Sequence, residues 1–136
     1  MILTLKNIYN EVVCKLRANN IEVPQLEAQI ILEYVTNLKL EKIYTNPDKK
    51  IYSKKINFIR RLTKRIIGGE PIQYAIGHAF FYSLKFYVNK NVLIPRPESE
   101  TIVDVALKLL KSNRYKEVLD LCCGCLLYTS PSPRDS

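Results

Sequence analysis

The sequence has one histidine, His78, and only four cysteines, three of them crowded together as Cys122, Cys123 and Cys125 with Cys14 far upstream. A zinc site needs four ligands at workable spacing, and this set does not supply them, so no metal is expected. No basic start followed by an apolar block opens the chain, so no secretory leader is expected and the cytosol is the expected compartment. Without a secretion signal no disulfide framework is expected, and the thiols are expected to be reduced and packed around a loop. No apolar run approaches the roughly 20 residues that would cross a bilayer, so no membrane association is expected. No internal repeat is visible.

What is present suits a globular chain. Its 136 residues are 47% hydrophobic and 25% charged, enough to bury about two-thirds of the unfolded surface. The net charge of +8 is unevenly spread. Ser53 to Ile67 carries Lys54, Lys55, Arg60, Arg61, Lys64 and Arg65 and no acid. Such a stripe is most simply a solvated helix face. It also offers a surface for RNA or for an acidic protein face, which makes a basic, non-catalytic binding module an alternative reading.

The first half reads as helices. Leu5, Ile8, Val12, Val13 and Leu16 recur at helical spacing behind Thr4 as N-cap, and Asn19-Asn20 ends that helix. Pro24 opens a second, running to about Leu38, with Leu26, Ile30, Ile31, Tyr34, Val35 and Leu38 as its apolar face. A short piece from Leu40 to Thr45 stops at Asn46-Pro47-Asp48. The basic helix follows, capped by Ser53, with Ile56, Ile59, Leu62, Ile66 and Ile67 inward. Gly68-Gly69 and then Pro71 end it.

From Gly69 the helical period fades. His78 to Tyr82 and Leu84 to Val88 read as two short strands joined around Ser83. Pro95 and Pro97 fix an extended loop. A helix then starts, acids first and lysines last, with Ile102, Val105, Ala106, Leu109 and Leu110 inward. Glu117 to Leu121 reads as a short apolar strand, and Cys122-Cys123-Gly124 as the turn after it. A strand ending in an acid before a small-residue turn is how adenosylmethionine and dinucleotide sites open, because the ligand lies against bare backbone.

The stretch "GGEPIQYAIGHAFFYSLKFYVNKNVLIPRPESETIVDVAL", followed by "VLDL", resembles the release-factor glutamine methyltransferase family of the HemK type. Gly69, Pro71, Gln73, Tyr74, Gly77, Phe81, Phe86, Val88 and the run Val92 to Glu98 carry the resemblance, with Ser99 where the family prefers threonine. The resemblance implies an α+β fragment: a helical substrate-recognition bundle over residues 1–67, a β-hairpin linker over 68–95, and over 96–125 the first helix and strand of a truncated Rossmann-like methyltransferase domain. It implies S-adenosylmethionine as cofactor. It also implies, as substrate and partner, the glutamine side chain in the Gly-Gly-Gln motif of a peptide-chain release factor in translation termination.

On the family's cofactor loop, "DLGTGSG", Asp120 keeps the acid and Gly124 the middle glycine. Cys122 and Cys123 stand at the first glycine and the threonine, Cys125 at the serine and Leu126 at the last glycine. Arg96 and Glu98 are expected to line the cofactor pocket. Gln73 and Tyr74 are expected to fix the linker. The family's Asn-Pro-Pro-Tyr loop, which holds the glutamine NH2 through an Asn side chain and a proline carbonyl, is absent here. From Leu126 to Ser136 there is no Lys, Ile or Asn, and Pro131 and Pro133 forbid the apolar helix that the family places there. Residues 126–136 are therefore expected to be a non-native, unstructured extension, and the chain as given is expected to be inactive. A related methyltransferase acting on a nucleic-acid amine is a further alternative.

Overall fold

The computed structural model describes residues 1–112 and 117–121. The protein is helix-rich α+β and divides into two compact units, one spanning Met1–Ile76 and one beginning at Gly77.

In the first unit, β1 (Ile2–Thr4) leads directly into α1 (Leu5–Ala18), and α2 (Pro24–Thr36) and α3 (Leu40–Thr45) follow. Then β2 (Lys50–Tyr52) runs straight into α4 (Ser53–Ile67), and α5 (Ile72–Ile76) closes the unit. Thr4 caps α1, its hydroxyl accepting from the Asn7 N–H at 3.2 Å. Asn20 and Asn37 take left-handed φ values of 59° and 56° where α1 and α2 end, a conformation that asparagine tolerates better than most residues. The short α3 has no cap of its own. Glu33, reaching over from α2, accepts the Leu40 N–H at 2.6 Å instead. Gly69, with φ of 98°, follows α4, and the Glu70 N–H returns to the Arg65 carbonyl at 3.2 Å, so the last turn is closed by the glycine exit expected of it.

Helices α1, α2 and α4 pack against one another, and α5 lies on α4 and α2. Leu5, Ile8, Leu16, Ile31, Leu32, Ile56 and Ile59 have no exposed surface. The core also takes in Ile72, Ala75 and Ile76 of α5. Two buried hydroxyls are satisfied within their own helices: Thr36 donates to the Leu32 carbonyl at 2.6 Å and Thr63 to that of Ile59 at 2.9 Å.

The structure corrects several readings. The apolar face of α2 is only partly the one that spacing suggested: Ile31 and Val35 are buried as expected, but Leu26 and Tyr34 are exposed, and Ala28 and Leu32 are buried as well. A helix with Ile30, Ile31 and Leu32 in a row has no unique apolar stripe, and tertiary packing selects among the possible ones. Ser53 does not cap α4; it is the first helical residue, after Tyr52, and no side chain caps that end. Its place is taken by a strand that sequence patterning missed. β2 pairs antiparallel with β1, Ile2 opposite Tyr52 and Thr4 opposite Lys50. Two three-residue strands 46 or more positions apart leave no local period to read. Likewise 72–76, read as part of an aromatic, β-branched stretch, is helical.

In the second unit, β3 (His78–Phe81) and β4 (Leu84–Tyr87) form an antiparallel hairpin with Ala79 opposite Phe86. Its two-residue turn is Tyr82-Ser83, with φ of 50° and 62°. Positive φ at both positions matches the twist of the flanking strands, although glycine or asparagine usually supplies it. The Phe81 and Phe86 rings meet edge to face at 6.2 Å. After the loop, a 3-10 turn (Pro97–Ser99) continues into α6 (Glu100–Lys111).

Two further expectations for this unit are corrected. No residue of α6 is buried: Ile102 is 72% exposed, Val105 52% and Leu109 50%. Nor do residues 117–121 form the expected strand; they have no regular structure, and Val118, Leu119 and Leu121 are exposed. A strand meant to be buried on both faces needs neighbours to pair with, and none of the described residues pairs with this one.

Candidate functional site

The loop before α6 is built by its prolines. Asn89 starts it with a side-chain turn, its Oδ1 accepting the Asn91 N–H at 2.9 Å, and its carbonyl accepts the Val92 N–H at 3.0 Å. Arg96, held between Pro95 and Pro97, is extended at φ −95° and ψ 141°, as a residue before proline must be. Its carbonyl accepts the Ser99 N–H at 3.1 Å, which opens the 3-10 turn. The side chains of Arg96 and Glu98 both face solvent.

A second device fixes this region. The Tyr82 hydroxyl donates to Asp104 Oδ1 at 2.6 Å, and the Tyr82 N–H donates to Glu100 Oε1 at 2.7 Å. Glu100 and Asp104 are one helical turn apart on α6, so a single turn residue grips the helix at two points. The Asp104 carboxylate beside it raises the Tyr82 phenol above its ordinary value of 10.0. Sequence reading saw Glu100 only as an acid near a helix start and Tyr82 as a strand residue. The 18- and 22-residue separations of these bonds hid the arrangement.

Of the expected cofactor residues, Arg96, Glu98 and Asp120 are exposed. No side-chain hydrogen bond or ion pair among the described residues joins them. Cys122, Cys123 and Gly124 lie outside the described residues, as does the 126–136 tail. Among the described residues no group of three potential metal ligands gathers, and no helix is long and apolar enough to cross a membrane.

In the helical unit the charges of α4 are sorted by pairing. Glu11 of α1 takes a forked bond from Arg60, at 2.8 Å from Nε and 2.9 Å from Nη2, and accepts Lys15 Nζ at 2.8 Å. The Arg60 fork, helped by Lys15, holds the Glu11 carboxyl at about 2. Arg65 forks onto Glu70 at 2.6 and 2.7 Å. That bond, made with an acid five residues on, leaves Arg65 a poor candidate for the free cation that its place in the stripe suggested. Glu27 is the odd carboxylate: one of its oxygens is buried without a hydrogen-bond partner among the described residues, and burial raises its pKa.

Residues 7–77 match the family described as the PrmC N-terminal domain. The chain belongs to that family. The match ends next to the border at Ile76 found from the packing, so the PrmC N-terminal domain here includes α5 and stops where the hairpin begins. Similarity continues beyond the domain. A release factor glutamine methyltransferase of Mycoplasma mycoides is 35% identical over 121 residues, covering 89% of this chain and 42% of the relative. One from Thermodesulfovibrio yellowstonii is 42% identical over 101 residues, covering 72% of this chain and 36% of the relative. A bifunctional methyltransferase of Rickettsia conorii is 40% identical over 105 residues, which is 77% of this chain and 20% of that protein. The chain thus spans about two-fifths of the release-factor relatives and a fifth of the bifunctional one.

Proposed function

We propose that this chain is the front portion of an S-adenosylmethionine-dependent methyltransferase that modifies the glutamine side-chain amide in the Gly-Gly-Gln motif of peptide-chain release factors in the cytosol. One observation carries the reading. The similarity to proteins named release factor glutamine methyltransferase spans up to 121 residues, well beyond the 71 residues of the helical domain match. The exposed apolar residues of α6 support it as well. Ile102, Val105 and Leu109 follow helical spacing and lie uncovered, as they would on a helix that belongs to a larger α/β layer.

In this reading the helical domain ending with α5 holds the release factor, the hairpin and the loop up to residue 95 link, and 96–125 begin the cofactor domain. Arg96, Glu98, Asp120, Cys122, Cys123 and Gly124 would border the cofactor. The exposed carboxylates of Glu98 and Asp120 fit the hydroxyl and amino donors that such a ligand presents. When bound, the cofactor supplies an electrophilic methyl group. The chain's own contribution is to orient: the Pro95-Arg96-Pro97 backbone and the Tyr82 grip on α6 hold the pocket's edge in one geometry. With no Asn-Pro-Pro-Tyr run to present the amide, these 136 residues do not transfer methyl groups unaided.

Two measurements test this. Calorimetry of the chain with S-adenosylmethionine is expected to show no saturation up to about 1 mM, and a dissociation constant below about 10 µM would overturn the incomplete-pocket reading. A chimera joining residues 1–124 to the remaining part of the Mycoplasma mycoides relative is expected to pass tritiated methyl to a release factor and not to its Gly-Gly-Ala variant. Label entering nucleic acid instead would overturn the substrate.

A further inference from the structure

Of the six cations on α4, Arg60 and Arg65 are engaged by Glu11 and Glu70. The other four, Lys54, Lys55, Arg61 and Lys64, enter none of the ion pairs found among the described residues. Lys54, Lys55 and Arg61 lie together along one open groove of about 470 Å³, whose remaining lining is Val35 of α2 and Phe58 of α4. The groove thus has an apolar floor and a cationic rim. Arg61 lies over the Phe58 ring, 5.1 Å from its centroid, and the Tyr34 ring flanks Phe58 at 6.2 Å. The aromatic floor is held in place from two sides.

We propose that this groove docks an acidic peptide segment, one apolar side chain of which rests on Val35 and Phe58 while its carboxylates meet Lys54, Lys55 and Arg61. Charge complementarity is the first argument: three cations outside the ion pairs found among the described residues edge a single depression. The second is shape. Lys54 and Arg61 are separated by two helical turns, about 10 Å along α4, a span that carboxylates two turns apart on a partner helix match. The third tells against nucleic acid. Arg60 and Arg65, which would widen the stripe into a phosphate-tracking surface, are already bonded to this chain's own acids. The proposal deepens the reading of the helical domain as the part that holds a protein substrate. It needs neither cofactor nor methyl transfer for its test, so the two can fail separately.

The test is fluorescence anisotropy of the 136-residue chain with three labelled probes: a short Glu- and Asp-rich peptide with one central Leu, the same peptide with Ala in its place, and a U-rich RNA of equal length. The Leu peptide is expected to bind about tenfold more tightly than the Ala peptide, since one apolar side chain leaves water. Its affinity should fall as salt rises. The K54E/K55E/R61E variant should bind at least tenfold more weakly, whereas K6E/K42E/K108E, an equal charge change elsewhere, should retain most of the affinity. If the reversal variant unfolds by circular dichroism, K54Q/K55Q/R61Q gives the same reading. Equal loss in the control variant, equal affinity for the Leu and Ala peptides, tighter binding of the RNA, or no binding at low salt would each overturn the proposal.

Discussion

Replacing Glu11 with glutamine should cost stability in a way that depends on pH. The carboxylate is fixed by three charged donors, the Arg60 fork at 2.8 and 2.9 Å and Lys15 at 2.8 Å, and the group sits at about 2 rather than its ordinary 4.5. Favouring the ionised form tenfold takes about 1.4 kcal/mol, so the full displacement sets a ceiling of about 3 kcal/mol. The Glu11 side chain is 24% exposed and that of Arg60 33%, so solvent screening reduces this to about 1–2 kcal/mol. Because the folded-state value lies below the unfolded one, the contribution is fully present above about pH 4.5. It is lost as pH falls toward 2. Urea unfolding of wild type and E11Q should therefore differ by about 1–2 kcal/mol at pH 7 and converge across that window. A difference that stays constant down to pH 2.5 would mean that Glu11 acts through packing, and the electrostatic account would be wrong.

Further outcomes are expected. E27Q should carry the opposite sign: with the carboxyl raised by burial and one oxygen unpartnered among the described residues, the neutral amide should stabilise at pH 7, and this gain should vanish below the ordinary carboxylate range. Ile59→Ala or Leu16→Ala, each removing a wholly buried side chain, should cost about 2–5 kcal/mol by urea unfolding. Ser83→Gly should raise the melting temperature of the hairpin unit by relieving a positive φ of 62°, because the roughly 1–2 kcal/mol cost of a left-handed side chain exceeds the extra chain entropy that glycine brings. Ultraviolet titration should show one phenol fewer in the high-pH tail for Y82F than for wild type, since the Tyr82 phenol is raised by its bond to Asp104.

Local signals in the sequence translated well where the cause is itself local. Thr4, Pro24, Asn19-Asn20, Asn46-Pro47 and Gly68-Gly69 mark helix ends because caps, fixed φ and left-handed exits act within a turn. The strand pair around Ser83 was legible for the same reason. What failed depends on distant partners. β1 and β2 find each other across the whole three-helix segment, Arg60 finds Glu11 across 49 positions, and the face of α2 is chosen by what packs on it. The residues expected at the cofactor rest on family likeness alone. Among the described residues Arg96 and Glu98 enter no side-chain hydrogen bond or ion pair that composition or spacing could have signalled, and which α4 cations are bonded emerged only once Glu11 and Glu70 had positions.

The pairing of Ile2–Thr4 with Lys50–Tyr52 has a practical corollary. Shaving four residues from the amino end would remove a ladder, the cap on α1 and the Met1 sulfur that Arg60 touches at 3.5 Å, all in one cut. An expression clone begun at Leu5 would therefore report on a loosened bundle.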